Sequence, residues 1–441
     1  MFGQLDRPRQ YWIYALLALL VNVVSAVAFN AVVGRIVFDE VVHMPEVHRY
    51  ATLGVSVETI LRHPIAPGPT THILLAEVVR AVPGHELRTA RVVVLAMWVA
   101  LCLAVLAAVR WGHASELWYP ALLATLCFPH TPTAMATVLT EGPALLFAVV
   151  GVLMWIRSTQ GDMRDLVSSV SCICGGLLMG VAVTCRQYYI GLLPAMAAFV
   201  VYEAWRRRSV GGQLRWVVVA TASCFVAAIP IGLLVSIWHG LSSPAMVAGA
   251  GGAFWHSAIG VDLSRPLIAG FYIALYVFPL TFPVIGLLRR KQWALAAAIA
   301  AGSAVLLAPA RDTVLQWGPL RSVLEPLHRL PGAEAVAFAA IVALLALNMV
   351  ALSWRLWEQR QSLSSFPLVV FSGFFLVVFV VEQIGVGGSV PFWERYVVQA
   401  IPFLAILAFA AVPSFSRSRI VVLISLLVIG QVMLWRWAIV S

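Results

Sequence analysis

Residues 11–33 read YWIYALLALLVNVVSAVAFNAVV, a run of 23 residues that contains no charged side chain. About 20 apolar residues are enough for a helix to cross the roughly 30 Å hydrocarbon core of a bilayer. The run is too long for a signal peptide and has no small-residue cleavage site of that type. It therefore predicts a retained first transmembrane helix.

The same pattern continues along the whole chain. Hydrophobic residues make up 61% of the 441 residues and charged residues only 11%, against about 25% charged in a typical soluble domain. The runs lack the period-two alternation of membrane β-strands, so helices are expected. The sequence predicts an all-α, polytopic membrane protein with one domain over residues 1–441. We read thirteen spans, at residues 11–33, 89–109, 116–130, 137–156, 166–184, 187–205, 215–238, 266–288, 292–309, 334–354, 365–385, 396–413 and 419–439.

The net charge of +10 would suggest a nucleic-acid partner in a soluble protein. Here the cations are dispersed between apolar runs, so orientation in the membrane is the better explanation, and no nucleic-acid partner is expected. The tight clusters Arg206–Arg208 and Arg289–Lys291 fall on the same side as the N-terminus, which predicts a cytoplasmic N-terminus. Lys291 is the only lysine among 29 basic residues. This bias favours a bacterial source and hence the inner membrane, with the endoplasmic reticulum membrane as the eukaryotic equivalent.

The first extracytoplasmic loop, residues 34–88, begins with two adjacent carboxylates, Asp39 and Glu40, and holds five of the ten histidines. Its proline-rich centre separates two predicted helices, at residues 43–62 and 70–82, and the second is amphipathic. Acids at a membrane surface beside such a loop suggest proton chemistry on a membrane-bound substrate. Ordinary interfacial charges are the alternative.

Other ionisable residues interrupt apolar runs, and an intramembrane charge is a functional hypothesis by default. Glu141 lies at the mouth of the fourth predicted span, Arg186 and Gln187 lie between the fifth and sixth, and the stretch 394–396 opens the twelfth. With a cytoplasmic N-terminus, Asp39, Glu141, Arg186 and Arg395 all fall on one side of the membrane. No metal is predicted, because Cys172-Ile173-Cys174 has no second ligand pair at the spacing that zinc requires.

These motifs, in this order, resemble the dolichyl-phosphate-glucose alpha-1,2-glucosyltransferase family of the GT-C superfamily. The first loop of that family reads Asp-Glu-x-Phe-His-x-Pro-Gln. The matching positions in this chain, for that motif and for the Tyr-Thr-Asp, Arg-Gln-Thr-Asn and Glu-Pro-Arg-Tyr elements that follow, are Asp39, Glu40, His43, Pro45, Thr140, Glu141, Arg186, Gln187, Glu394, Arg395, Tyr396 and Pro402. The family's lysine-containing loop has no counterpart in residues 245–265, so the chain resembles a distant relative with its own sugar and acceptor.

The resemblance implies a GT-C-type helical bundle and an inverting glycosyltransferase that needs neither a metal ion nor a cofactor. It would move a monosaccharide from a polyprenyl-phosphate donor to a glycan or lipid-linked acceptor on the extracytoplasmic face. Asp39 is the expected general base, with Glu40 as the rival or as the group that orients the acceptor. The expected substrate-binding residues are His43, Glu141, Arg186, Gln187, Glu394, Arg395 and Tyr396, with Arg186 and Arg395 on the donor phosphate and Glu141 on a sugar hydroxyl.

Two other functions use the same residues. A transporter or flippase of lipid-linked saccharides would employ the acids as a proton relay, although no internal repeat stands out, as it does in many transporters. A polymerase or ligase of lipid-linked oligosaccharides shares the chemistry and differs only in the length of the substrate chain.

Overall fold

The structure is a computed structural model, and it describes residues 10–65, 68–161, 165–208, 213–240, 242–248, 264–315, 321, 324–330, 332–384, 394–412 and 417–440. Helices dominate these residues, and none of them forms a β-strand. The predicted all-α class is therefore confirmed. The GT-C arrangement itself stays a prediction.

The chain divides into two compact units, residues 1–256 with 423–441 and residues 257–422. The single domain over residues 1–441 stays a prediction. The helices before residue 257 are α1 (Tyr11–Val32), α2 (Glu40–Leu53), α3 (Val57–Leu61), α4 (Thr70–Arg80), α5 (Glu86–Arg110), α6 (Trp118–Leu126), α7 (Thr131–Ala136), α8 (Glu141–Gln160), α9 (Leu166–Cys185), α10 (Leu192–Arg206), α11 (Gln213–Trp238) and α12 (Pro244–Ala248). The later helices are α13 (Ser264–Thr281), α14 (Arg290–Leu307), α15 (Arg311–Leu315), α16 (Ala333–Glu358), α17 (Arg360–Leu363), α18 (Pro367–Glu382), α19 (Ile401–Ala411) and α20 (Arg417–Val440).

Ten helical segments within the described residues are long and apolar enough to cross a bilayer, so the chain is a multi-pass membrane protein. They are Tyr11–Val32, Glu86–Arg110, Glu141–Gln160, Leu166–Cys185, Gln187–Arg206, Leu214–Trp238, Ser264–Leu287, Arg290–Ala310, Ala333–Glu358 and Ser418–Ile439. The other three predicted spans, 116–130, 365–385 and 396–413, contain the shorter helices α6, α18 and α19, of 9, 16 and 11 residues. The count of thirteen thus stays a prediction.

The helices α6 and α7 form one broken segment alongside α1. Asn22 donates a hydrogen bond from Nδ2 to the carbonyl oxygen of Leu126 at 3.0 Å, and Ala136 packs into a cluster with Phe29. Pro129 separates the two helices, since proline cannot donate the backbone bond that a continuous helix needs. The α6–α7 segment therefore follows α1 through its C-terminal half.

The last helix, α20, also packs against α1. Gln431 donates from Nε2 to Oδ1 of Asn22 at 2.8 Å, and Trp435 donates from Nε1 to Oγ of Ser25 at 3.0 Å. Polar contacts of this kind join helices in apolar surroundings, where an unpaired amide is costly. The final predicted span, 419–439, is thereby attached to the first.

Charged residues gather at two opposite ends of the first unit. At one end Glu203 accepts hydrogen bonds from Arg206 and Arg207, and the carbonyl oxygen of Thr159 accepts from Arg207 and Trp216. The residues described in the next subsection lie at the other end. No Asp, Glu, Lys or Arg occurs in the segments between, which are residues 11–32, 92–109, 118–140, 142–156, 166–185, 187–202 and 216–238.

The segment between α1 and α5 coincides with the predicted first loop, 34–88, and is largely helical. α4 agrees with the helix predicted at 70–82, whereas the helix predicted at 43–62 is wrong as a single element. Gly54 adopts a φ of 75°, which ends α2, and the side chain of Ser56 then caps α3 through a reciprocal pair of bonds with Thr59. A positive φ favours glycine, and a capping box marks a new helix start.

The second unit is held by its own apolar and polar contacts. Val284 and Leu288 pack with Ala296 and Ala351 in a buried cluster. Asn348 donates from Nδ2 to Oγ1 of Thr281 at 2.7 Å, between two buried side chains.

Candidate functional site

Glu40 and Arg91 form a buried ion pair at the end of the first unit where the first loop begins. Arg91 donates from Nε to Oε1 of Glu40 at 2.7 Å and from Nη2 to Oε2 at 2.6 Å. The backbone N–H groups of Val37 and Val138 also donate to this carboxylate, at 3.0 and 2.9 Å. Glu40 is 0% exposed and thus accepts four hydrogen bonds. To take a proton it would have to break at least one of them.

Arg91 completes the arrangement through the backbone of the chain that leaves α1. Its guanidinium donates to the carbonyl oxygens of Val33 and Arg35. One buried cation thus joins the end of α1, the start of α2 and the start of α5. Such bidentate arginine geometry is the strong form of a carboxylate pair.

Asp39, the neighbouring acid, has a different environment. It is half-buried and precedes the first residue of α2, and its side chain makes no capping bond to that helix. Phe38 before it has a φ of 52°, an unusual value for a bulky residue, and its ring lies 5.0 Å from that of Trp437. Backbone strain of this kind concentrates at functional sites. Because Asp39 is half-buried and Glu40 is 0% exposed, Asp39 is the more accessible proton acceptor of the two.

Arg186 and Glu141 form a second buried pair at the same end. Arg186 donates from Nη2 to Oε1 of Glu141 at 2.7 Å and from Nη1 to Oγ1 of Thr140 at 3.0 Å. It follows α9 in extended conformation, while Glu141 opens α8. Arg186 is 5% exposed, so its charge is largely balanced by Glu141 within the protein.

A short stretch of chain connects the two pairs. Val138 bonds to Glu40, and Thr140 and Glu141 bond to Arg186. The structure therefore brings together Glu40, Glu141 and Arg186, which are separated by 146 residues of sequence from first to last (186 − 40).

Three buried histidines of the first loop lie in contact with one another. Nδ1 of His43 is 3.0 Å from Nε2 of His72, and the two rings stack with centroids 5.3 Å apart. The His63 ring lies 5.2 Å from that of His72. We call His43, His63 and His72 the histidine cluster. Among the residues that the structure describes, no group of three or more histidine, cysteine or acidic side chains has the geometry of a metal site.

An ion pair on α2 adjoins the histidine cluster. Oε2 of Glu46 lies 2.7 Å from Nη2 of Arg49 and 3.3 Å from Nδ1 of His63. Burial raises the pKa of the Glu46 carboxyl, but the hydrogen bonds from His63 and Arg49 outweigh it and the net pKa is lowered. Burial also raises the pKa of Tyr50 to about 12.

The first loop is attached to the transmembrane helices through α4. Oγ1 of Thr70 donates to Oγ1 of Thr184 at 2.8 Å. A Cβ atom on Gly68 would lie 1.9 Å from the carbonyl oxygen of Thr184, so only glycine permits this approach. From the other side, Trp238 donates to the carbonyl oxygen of Ile60 at 3.0 Å. α4, which carries His72, thus lies directly against the end of α9.

We expect the packing of the first loop to weaken in acid. Burial lowers the pKa of His72 well below 6.5, and the nearby His63, His43 and Arg49 lower it further, while the Gly68 carbonyl opposes them. The packed loop therefore binds fewer protons than the unpacked one, so its stability is complete above the ordinary histidine pKa of 6.5 and declines as pH falls below it. Hydrogen exchange of α2 and α4, corrected for intrinsic rates, should be faster at about pH 5 than at about pH 7.5.

The exposed His48, on the same helix as His43, provides the control for that measurement. His48→Gln should keep the full pH dependence, whereas His72→Phe should lose most of it between about pH 6.5 and pH 5. An unchanged pH dependence in His72→Phe would contradict the assignment to the histidine cluster.

The remaining predicted site residues are placed as follows. Gln187 begins a 3-10 turn, Gln187–Gly191, and is half-buried. Tyr396 is buried within the turn Glu394–Gln399 of the second unit. The side chains of Glu394 and Arg395 lie outside the described residues. Their association with the first loop stays a prediction.

The chain was compared with protein families, curated proteins and solved structures. No family model, no curated protein and no solved structure matches the chain.

Sequence reasoning did not assign Arg91, His63 and His72 to the site. Arg91 had a signal, because a cation five residues into a long apolar helix needs a partner or an exit to water. The sequence signal for His63 and His72 was weaker. They lie on either side of a proline-rich turn, and this position does not show which helix faces are buried.

Proposed function

We propose that the protein is a glycosyltransferase that moves a monosaccharide from a polyprenyl-phosphate donor to a glycan or lipid-linked acceptor. Transfer takes place on the extracytoplasmic face of a bacterial inner membrane and inverts the anomeric carbon. The observation that carries the proposal is the difference in burial and hydrogen bonding between two adjacent acids. Glu40 is saturated by Arg91 and two backbone N–H groups, which leaves the half-buried Asp39 for proton abstraction.

Inverting transfer needs one carboxylate that takes the proton of the acceptor hydroxyl as the new bond forms. Asp39 has the exposure that this role requires, and Glu40 orients the turn on which Asp39 stands. The bond between the anomeric carbon and the phosphate oxygen breaks as the acceptor oxygen attacks from the opposite face. The polyprenyl phosphate then departs with the electron pair of that bond.

The charges at the site favour other arginines for the donor phosphate than Arg186 and Arg395, which the motif resemblance implied. Arg186 is neutralised by Glu141, so the pair suits the hydroxyl groups of a neutral sugar. The donor phosphate needs cations that face water or lipid headgroups. Arg35 and Arg88 are both exposed. Arg88 lies near the start of the first loop, because a Cβ atom added to Gly34 would be 4.0 Å from its Nη2. We assign the phosphate to these two.

The distribution of charge supports an enzyme over a proton-driven transporter. A proton relay across the membrane needs titratable groups along a path. In the first unit the spanning segments carry no acid or lysine between their two charged ends, and the one histidine there is His130, too few groups for a relay. Asp39, Glu40 and Glu141, which lie together at one of these ends, therefore suit chemistry at one membrane surface.

The test uses purified protein in vesicles with synthetic undecaprenyl phosphates carrying radiolabelled hexoses or pentoses, and a lipid extract of the source membrane as acceptor. Label should enter a larger glycan or glycolipid without added metal, with only one donor of the panel used well. Counterflow of a labelled lipid-linked sugar, without any new glycosidic product, would replace the proposal with the flippase alternative.

A further inference from the structure

The hydroxyl of Tyr189 is fully buried without a hydrogen-bond partner among the residues that the structure describes. Tyr189 lies in the 3-10 turn after α9, within electrostatic reach of Glu141, Arg186 and Cys185. A buried phenol in a native protein almost always finds a partner, so an orphaned one indicates a group that the protein alone does not supply.

A second hydroxyl, in the first loop, lies near the same end of α9. Thr71, on α4, is 1% exposed, and its Oγ1 has no nitrogen or oxygen hydrogen-bond partner among the described residues. Its neighbour is the thiol of Cys185, which interacts weakly with it. Cys185 in turn adjoins Tyr189. Thr71 on α4 and Tyr189 after α9 thus both lie near Cys185, where Thr70, the residue before Thr71, bonds to Thr184.

We infer that Thr71 and Tyr189 form a subsite for the hydroxyl groups of a sugar ring, beside the Glu141–Arg186 pair. This inference rests on the proposed function and names the residues that select the sugar. Hydroxyl groups both donate and accept, so two side-chain hydroxyls and a neutralised ion pair complement a neutral polyol. An anion is disfavoured, because the positive charge of Arg186 is already balanced.

Access to this subsite depends on α4. The hydrogen bond from Thr70 to Thr184 and the close approach of Gly68 hold α4 against the end of α9. Because Thr71 and Tyr189 are 1% and 0% exposed, a ligand reaches them only when packed elements move apart, and α4 is the element that we assign to this movement. The subsite would then close around the bound sugar.

The first test needs no transfer reaction. Thermal unfolding of the purified protein is followed with methyl glucopyranoside or methyl mannopyranoside at about 0.2 M, with sorbitol at the same concentration as the osmolyte reference. One glycoside should raise the Tm of the wild-type protein above the sorbitol value. Tyr189→Phe and Thr71→Val should each reduce that excess by more than half.

The stability of the variants without sugar separates a binding role from a structural one. Tyr189→Phe should unfold at the wild-type temperature, because its hydroxyl bonds to none of the residues that the structure describes. The matched control is Tyr272→Phe, since the buried Tyr272 donates to the carbonyl oxygen of Val314 at 2.9 Å and its loss should lower the Tm. A fall for Tyr189→Phe as large as that of Tyr272→Phe would overturn the inference.

Kinetics distinguishes this inference from the proposed function. With a donor that the wild-type protein uses, Tyr189→Phe should raise KM about 3- to 10-fold, as expected for one neutral hydrogen bond. Unchanged KM and no glycoside excess would mean that the hydroxyls hold ordered water only, and the subsite would be rejected while transfer stands. A Tyr189-dependent glycoside excess without transfer would keep the subsite and reject the enzyme.

Discussion

Asp39→Asn should reduce glycosyl transfer by about 100-fold or more, because general-base catalysis contributes roughly 10²- to 10⁴-fold and the amide cannot take a proton. The loss should appear in kcat, with KM close to the wild-type value, since Asn keeps the size and the hydrogen-bonding capacity of the side chain. Because Asn is nearly the same size as Asp and residue 39 is only half-buried, the variant should insert and fold as the wild-type protein does.

Glu77→Gln is the matched control for this result. Glu77 is an exposed acid on α4 in the same loop and is paired with Arg80 at the surface. It should retain wild-type transfer. If Asp39→Asn is properly inserted and also keeps wild-type activity with an identified donor, Asp39 is not the base and the proposed mechanism fails.

Glu40→Gln should cost about 3–5 kcal/mol of stability, because it leaves the Arg91 guanidinium buried without its counterion. Both side chains are almost inaccessible, at 0% and 1%, so neither water nor a neighbouring helix can take over the charge. The measurement is thermal or denaturant unfolding of the purified protein. The double variant Glu40→Leu, Arg91→Met should be more stable than either single change, since it removes both charges together.

The exposed pair of Glu58 and Arg62 gives the comparison. Both side chains are about 70% exposed, and Glu58→Gln should change stability by no more than about 0.5 kcal/mol. A wild-type unfolding transition for Glu40→Gln would show that Glu40 is not the structural anchor of the loop. The assignment of the base to Asp39 would then lose its main support.

The first loop illustrates how far sequence reasoning extends. The proline-rich turn and the amphipathic stretch were sufficient to predict α4, because a local periodicity and a helix breaker are properties of neighbouring residues. The break after α2 was missed. A single glycine within an otherwise helical pattern is often tolerated, and only the positive φ of Gly54 ends the helix there.

The sequence predicted several residues of the site, but it did not predict which of them contact one another. Glu141 and Arg186 were selected because a charge in an apolar run is costly, and the structure pairs them directly. Which acid of the first loop is accessible was open in the sequence, because Asp39 and Glu40 are adjacent and chemically alike. Burial and Arg91, 51 residues further on, separate their environments.

Composition and periodicity by themselves determined that this chain is a helical, multi-pass membrane protein, since apolar runs of bilayer length leave the backbone no other way to satisfy its hydrogen bonds. Tertiary structure alone decided which charges meet and which face water. Those contacts join residues far apart in the chain, and their free energy depends on distance, orientation and burial. None of these quantities is a property of a local stretch of sequence.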